Sequence, residues 1–132
     1  MIGQIDHVGI AIENIEKALE FYQGGLGMHL AEVATVEEQG VRVAFLPAGD
    51  SAIELLEPLN EESNMRKFIE KRGEGIHHIC LVVNDLPEAL DNLSKQGYRL
   101  IDETPRKGAH GLVAFVHPKS AHGVLIELLQ RH

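Results

Sequence analysis

The sequence predicts an α+β fold built from two β-α-β-β-β modules, and three observations predict it. The opening Ile5-Asp6-His7-Val8-Gly9-Ile10-Ala11-Ile12 is repeated as Ile76-His77-His78-Ile79-Cys80-Leu81-Val82-Val83, histidine on histidine, at an offset of 71 residues. The same offset places Asn14, Ile15, Ala18, Leu19 and Tyr22 on Asp85, Leu86, Ala89, Leu90 and Leu93, a capping residue followed by apolar positions at helical spacing in both copies. Ala52-Ile53-Glu54-Leu55-Leu56 then matches Leu125-Ile126-Glu127-Leu128-Leu129, glutamate on glutamate, at an offset of 73. A repeat that keeps a chemical position means that both halves contribute to one site.

Each element has a local reason. Residues 4–12 alternate, with Ile5, Val8, Ile10 and Ile12 apolar and His7, Gly9 and Ala11 on a polar or small face, as a strand lining a pocket requires. Asn14 caps a helix running to about Gln23, which Gly24-Gly25-Leu26-Gly27 ends. Met28 to Val36 reads as a strand, Glu37-Glu38-Gln39-Gly40 as a turn, Val41 to Leu46 as a strand, Pro47-Ala48-Gly49-Asp50 as a turn, and Ala52 to Leu56 as the fourth strand. A helix-prone link follows, where Met65, Phe68 and Ile69 make a short apolar stripe. The second module opens at Gly75. Asp85 and Glu88 make a capping box with Pro87 in the first turn, Gln96-Gly97 stops the helix, and Tyr98 to Thr104, Leu112 to Val116 and Val124 to Leu129 read as strands.

A chain of 132 residues with this period is expected to form a single domain, with module 1 at about 1–60 and module 2 at about 75–132. No apolar run approaches the roughly 20 residues of a membrane span, and the start has no basic segment followed by an apolar one, so a cytoplasmic location is expected. The net charge of −8 and the lack of a basic stripe argue against a nucleic-acid partner. Cys80 is the single cysteine and reads as a small packed hydrophobe.

Chemistry concentrates at four repeat-related positions. Glu54 and Glu127 each interrupt an apolar strand, and His7 and His78 face away from the apolar rows of their own strands. If those rows pack on the helices, all four side chains point to the other side of the sheet. An ionised carboxylate buried there unpaired costs several kcal/mol, so it calls for a cation. Two imidazoles and two carboxylates suit a divalent metal and leave positions open for substrate oxygens. His77 faces the opposite side and reads as structural.

These residues resemble the vicinal-oxygen-chelate (glyoxalase/dioxygenase) superfamily over essentially the full chain. That resemblance implies paired modules curled into a cup, helices on the outer face, and metal ligands at His7, Glu54, His78 and Glu127. Within the superfamily, Glu38-Gln39-Gly40-Val41, Glu54-Leu55-Leu56-Glu57-Pro58-Leu59, Lys107-Gly108-Ala109-His110-Gly111, His117-Pro118-Lys119-Ser120 and Gly123-Val124-Leu125-Ile126-Glu127 are similar to the methylmalonyl-CoA epimerases. The implied reaction interconverts (R)- and (S)-methylmalonyl-CoA by 1,1-proton transfer through a metal-stabilised enolate. Glu127 doubles as a base and Glu38 is a candidate for the second, because Val43 stands where some epimerases carry glutamate. The resemblance implies a divalent metal ion, with cobalt, manganese, nickel and zinc all open as its identity. Arg106, Lys107 and Lys119 are the cations to expect near the CoA phosphates, and a homodimer is implied. A glyoxalase I-type lactoylglutathione lyase, which shares the ligand set, and a non-catalytic small-molecule-binding protein of the same fold are the competing expectations.

Overall fold

The computed structural model describes residues 2–132. The elements are β1 (Ile2–Ala11), α1 (Ile15–Leu19), β2 (Glu32–Val36), β3 (Val41–Ala48), β4 (Ser51–Pro58), α2 (Asn64–Arg72), β5 (Gly75–Val83), α3 (Leu86–Lys95), β6 (Arg106–Lys107), β7 (Gly111–Val116) and β8 (Ile126–Arg131). The predicted α+β class with two β-α-β-β-β modules is what the chain adopts. No helix among the described residues is long and apolar enough to cross a membrane.

Two compact units divide the chain, and their boundary does not fall between the modules. One unit is Val8–His77; the other takes the chain up to His7 together with His78–His132. Strand β1 therefore gives its last four residues to the first unit and His7 to the second.

In the Val8–His77 unit the strand order is β2-β3-β4-β1, antiparallel except for the parallel β4–β1 pair that sets Gly9 opposite Glu54. Asn14 caps α1 as expected, its side chain accepting from Lys17 N at 2.9 Å. Ile15, Ala18, Leu19 and Tyr22 pack on Ile12, Ala44, Leu46 and Leu55, so the repeat-related apolar stripe covers one face of these strands. The opposite face holds Ala11, Val41, Val43 and Leu56 under Met65 and Ile69 of α2, which makes the anticipated link helix part of the core. Gly40 closes the turn after a single helical turn at 37–39 with φ of 68°, and a Cβ there would lie 2.8 Å from Ser63 Cβ, a contact only glycine avoids.

The second unit repeats this plan, with β5 and β8 parallel and β8, β7 and β6 antiparallel. Asp85 caps α3 by accepting from Glu88 N at 3.0 Å. Leu86 and Leu90 pack on Val83, Ala114, Val116 and Leu128. Cys80, Val113 and Leu129 form a separate cluster, with Cys80 fully buried in it and its thiol also grouped with Asp6 and His7.

Two strand boundaries differ from the sequence expectation. Residues 28–31 are not strand: Met28 N is taken by Tyr22 O at 3.0 Å, because the α1 helix widens into a broad turn in which Leu26 N reaches back to Phe21 O at 2.7 Å. Residues 98–104 are not a strand either, apart from a lone bridge between Leu100 and Val116. The Ser120 hydroxyl accepts from Arg99 N at 2.7 Å, and Ile101 N and Asp102 N both donate to Phe115 O at 2.9 and 3.2 Å, which uses up the ladder. The short β6 takes its place beside β7.

Burial of Leu90 at 2% exposure predicts that Leu90→Ala costs about 2–5 kcal/mol in chemical denaturation, and Leu90→Asp more. Lys95→Ala, which removes an exposed i,i+4 pair with Asp91, changes stability by no more than about 0.5 kcal/mol.

Candidate metal centre

Strand register decides which side chains meet. On β5 and β8 the parallel pairing sets Cys80 opposite Glu127, and β7 sets Phe115 opposite the same glutamate. The first module uses the same register: Gly9 opposite Glu54 on β1 and β4, and Phe45 opposite Glu54 on β3. Each histidine lies two residues before its glycine or cysteine, hence on the same face of its strand.

His7, His78 and Glu127 converge within one unit, each buried. The separations form a nearly equilateral triangle: His7 Nε2 to His78 Nε2 3.0 Å, His7 Nε2 to Glu127 Oε1 3.3 Å, and His78 Nε2 to Glu127 Oε1 3.2 Å. The rings meet edge to face at 5.1 Å. Two ring nitrogens this close, both turned to a carboxylate oxygen, need a proton or a cation between their lone pairs. Donors bound at about 2.1 Å to one ion lie about 3.0 Å apart in an octahedral cis arrangement and about 3.4 Å apart in a tetrahedral one. The triangle fits one face of either polyhedron, so this donor set suits a borderline divalent cation.

Electrostatics agree with that fit. Burial pushes the Glu127 carboxyl up, but hydrogen bonds from His7 and His78 and the charge on those rings outweigh it and hold it at about 2. Glu127 is therefore an anion across the physiological range. Asp6 is also held below the ordinary carboxylate value: burial raises it, and hydrogen bonds from Arg131 and His7 more than compensate.

Comparison with known proteins identifies the fold family. The model described as "Glyoxalase/Bleomycin resistance protein/Dioxygenase superfamily" matches residues 6–115. The "Ethylmalonyl-CoA/methylmalonyl-CoA epimerase" of Cereibacter sphaeroides is 41% identical over 98% of this chain and 99% of its own. The chain belongs to the methylmalonyl-CoA epimerase family of that superfamily. The crystal structure of methylmalonyl-CoA epimerase from Mycobacterium tuberculosis superposes with a TM-score of 0.91 at 41% identity, over 99% of this chain and 89% of that one. A Streptomyces coelicolor methylmalonyl-CoA epimerase in complex with 2-nitronate-propionyl-CoA superposes at 0.90 with 37% identity, over 99% and 96% of the two chains.

The remaining sequence-derived positions fall on several elements of the two units. Glu54 is half-buried and belongs to the Val8–His77 unit, opposite Gly9 and Phe45. Glu38 is exposed in the single turn at 37–39 of the same unit. Val43 is buried in the core with Leu56 and Met65 and offers no chemistry. Lys107 lies exposed on β6, and Lys119 is exposed in the helical turn Pro118–Ala121, which His117 caps by accepting from Lys119 N at 3.0 Å. His77 stacks edge-on to Phe68 with ring centres 4.7 Å apart, the structural role its side of the strand suggested.

Sequence reasoning missed the aromatic flank. The identical triplets Val43-Ala44-Phe45 and Val113-Ala114-Phe115 stand 70 residues apart and put a phenylalanine beside each glutamate, a signal readable in the repeat. Phe115 meets the His78 ring at 5.9 Å and carries the Arg106 guanidinium at 5.8 Å on its face. Asp102 holds that end together, accepting from Phe115 N at 2.8 Å and pairing with Arg106 Nε at 3.2 Å.

Convergence of three donors predicts that the reconstituted protein binds about one divalent ion per chain by elemental analysis. His78→Ala falls below about half an equivalent under the same conditions, and full retention of metal by that variant contradicts the site.

Proposed function

We infer that this protein is a metal-dependent methylmalonyl-CoA epimerase, interconverting the (R) and (S) thioesters by removing and returning the α-proton. The observation that carries the reading is the His7–His78–Glu127 triangle, set in a chain that matches epimerases over nearly its whole length. The Streptomyces coelicolor relative supports the chemistry, because a nitronate at C2 is a planar anion with its charge on oxygen, the shape and charge of a deprotonated malonyl carbon.

The α-hydrogen of methylmalonyl-CoA lies between a thioester carbonyl and a carboxylate, so the electrons left on its removal spread onto oxygen. A divalent ion held by His7, His78 and Glu127 supplies Lewis-acid stabilisation of that charge. Glu54 is proposed as the fourth ligand: it stands to Gly9 as Glu127 stands to Cys80, on the face of β1 that carries His7. Glu127, ionised and buried, takes the proton on one face of the carbon. With Val43 packed in the core, the second base comes from elsewhere, and Glu38 is the residue proposed for it. Lys107 and Lys119, exposed on an otherwise acidic protein, are proposed to meet the CoA phosphates. The repeat-related Ile5 and Ile76, 47% and 63% exposed, give apolar surface to the homodimer that this reading includes, and the cytoplasm is its proposed compartment.

The test is solvent exchange. In deuterated water, methylmalonyl-CoA exchanges its α-proton as the stereocentre inverts, and chelation stops both until metal is restored. Glu127→Gln keeps the side-chain size and loses the base, so exchange falls by about 10²–10⁴-fold. Glu38→Gln that loses inversion while retaining part of the exchange places Glu38 on the returning face; no change removes it from the mechanism. Turnover of the methylglyoxal–glutathione adduct with methylmalonyl-CoA left untouched contradicts the epimerase and makes the protein a glyoxalase I.

A further inference from the structure

The edge strand β6 carries two adjacent cations, and its pairing with β7 sends them to opposite faces of the sheet. Arg106 is the Cα partner of Val113 and Lys107 that of Leu112. Partners across a ladder share a face, and neighbours along a strand do not. Leu112 packs against the cluster of Leu86 and Leu90, so Lys107 belongs to the face that α3 covers. Val113 lies two residues before Phe115, whose partner on β8 is Glu127, so Arg106 belongs to the face that carries the buried carboxylate of the metal centre.

The Arg106 side chain is held on that face at two points. Its guanidinium carbon lies 5.8 Å from the centre of the Phe115 ring, and the same ring meets His78 at 5.9 Å. Asp102, with a side chain 15% exposed, takes Nε at 3.2 Å and Nη2 at 3.3 Å, while its Oδ2 also accepts from Phe115 N at 2.8 Å. The carboxylate that orients Arg106 is thus tied to the backbone of the strand beside Glu127. That grip occupies one edge of the guanidinium; Nη1 makes no hydrogen bond to the described residues, and the side chain is 53% exposed. Arg131, four residues along β8 from Glu127, is already spent on Asp6 at 2.6 Å.

A planar guanidinium with N–H groups to spare matches a carboxylate in shape as well as charge. The substrate under the epimerase reading carries one free carboxylate, beside the carbon that loses its proton. We propose that Arg106 binds this carboxylate and so selects malonyl-type thioesters over simple acyl-CoAs. The proposal rests on the epimerase reading and gives Arg106 a task distinct from that of Lys107 and Lys119, whose proposed partners are the CoA phosphates.

Calorimetric binding to the Co²⁺-loaded full-length protein separates the two halves of the substrate, because propionyl-CoA is methylmalonyl-CoA without the carboxylate. The parent binds an equilibrated mixture of the (R) and (S) methylmalonyl thioesters more tightly than propionyl-CoA. Arg106→Gln weakens the methylmalonyl thioesters by about 10–100-fold, the loss of a charge-assisted pair, and leaves propionyl-CoA within about twofold and Co²⁺ content unchanged. Equal weakening of both ligands assigns Arg106 to the CoA portion and overturns the proposal, as does a preference that falls only together with Co²⁺ content. A parent that binds neither thioester overturns the epimerase reading and this proposal with it. A parent that prefers the methylmalonyl thioesters, with an Arg106→Gln variant that keeps the same preference, overturns the role of Arg106 alone.

Discussion

Glu127 is a buried carboxylate, and the imidazoles of His7 and His78 are what make its burial tolerable. Alone, such a group would be driven towards its neutral acid by the loss of water; instead it is held at about 2, so two ring hydrogen bonds overcome the burial that opposes them. The strand pairing of that unit keeps Glu127 in register with β5 and β7. The β5–β8 pairing fixes Glu127 against Cys80, two residues from His78, and β7 brings Phe115 against the same glutamate. Helix α3 covers the opposite face, where Leu86 and Leu90 supply the packing that lets the polar face stay polar. Removing apolar contacts on one side therefore acts on the chemistry of the other through strand register rather than through direct contact.

The way the chain divides explains why the repeat is needed. His7 belongs to the first module by sequence and to the second by packing, because β1 changes unit between His7 and Val8. A single module of this size buries too little apolar surface to hold a charged site on its own. Sharing one strand gives the site its second histidine without a separate domain. The same sharing breaks the symmetry of the repeat: the duplicated pattern supplies two histidines, but only the first has an aspartate before it and an arginine at the end of β8 to hold that aspartate.

Much of this was legible in the residues. Periodicity locates both capped helices and the link helix, and the offsets of 71 and 73 single out His7, His78, Glu54 and Glu127. Alternation showed that His7 and His78 face away from their apolar neighbours, and the triangle of His7, His78 and Glu127 has that arrangement. What failed to show were interactions that local pattern does not encode. Residues 98–104 have strand-like composition, but Ser120 and the carbonyl of Phe115 take their amides, a tertiary competition no window can see. Asp6 read as part of a strand motif because its partner Arg131 lies at the far end of the chain. The Val-Ala-Phe repeat is visible in the sequence, but Phe45 and Phe115 carry no chemistry of their own to mark it.

One histidine from each module must bind the same ion for the metal centre to work as proposed. X-ray absorption at the cobalt edge of the Co²⁺-loaded full-length protein counts the imidazoles in the inner shell through their multiple scattering. Two imidazoles with oxygen donors completing the shell, falling to one in His7→Ala, is the result this structure predicts. A single imidazole in the parent, or a shell unchanged by His7→Ala, contradicts it.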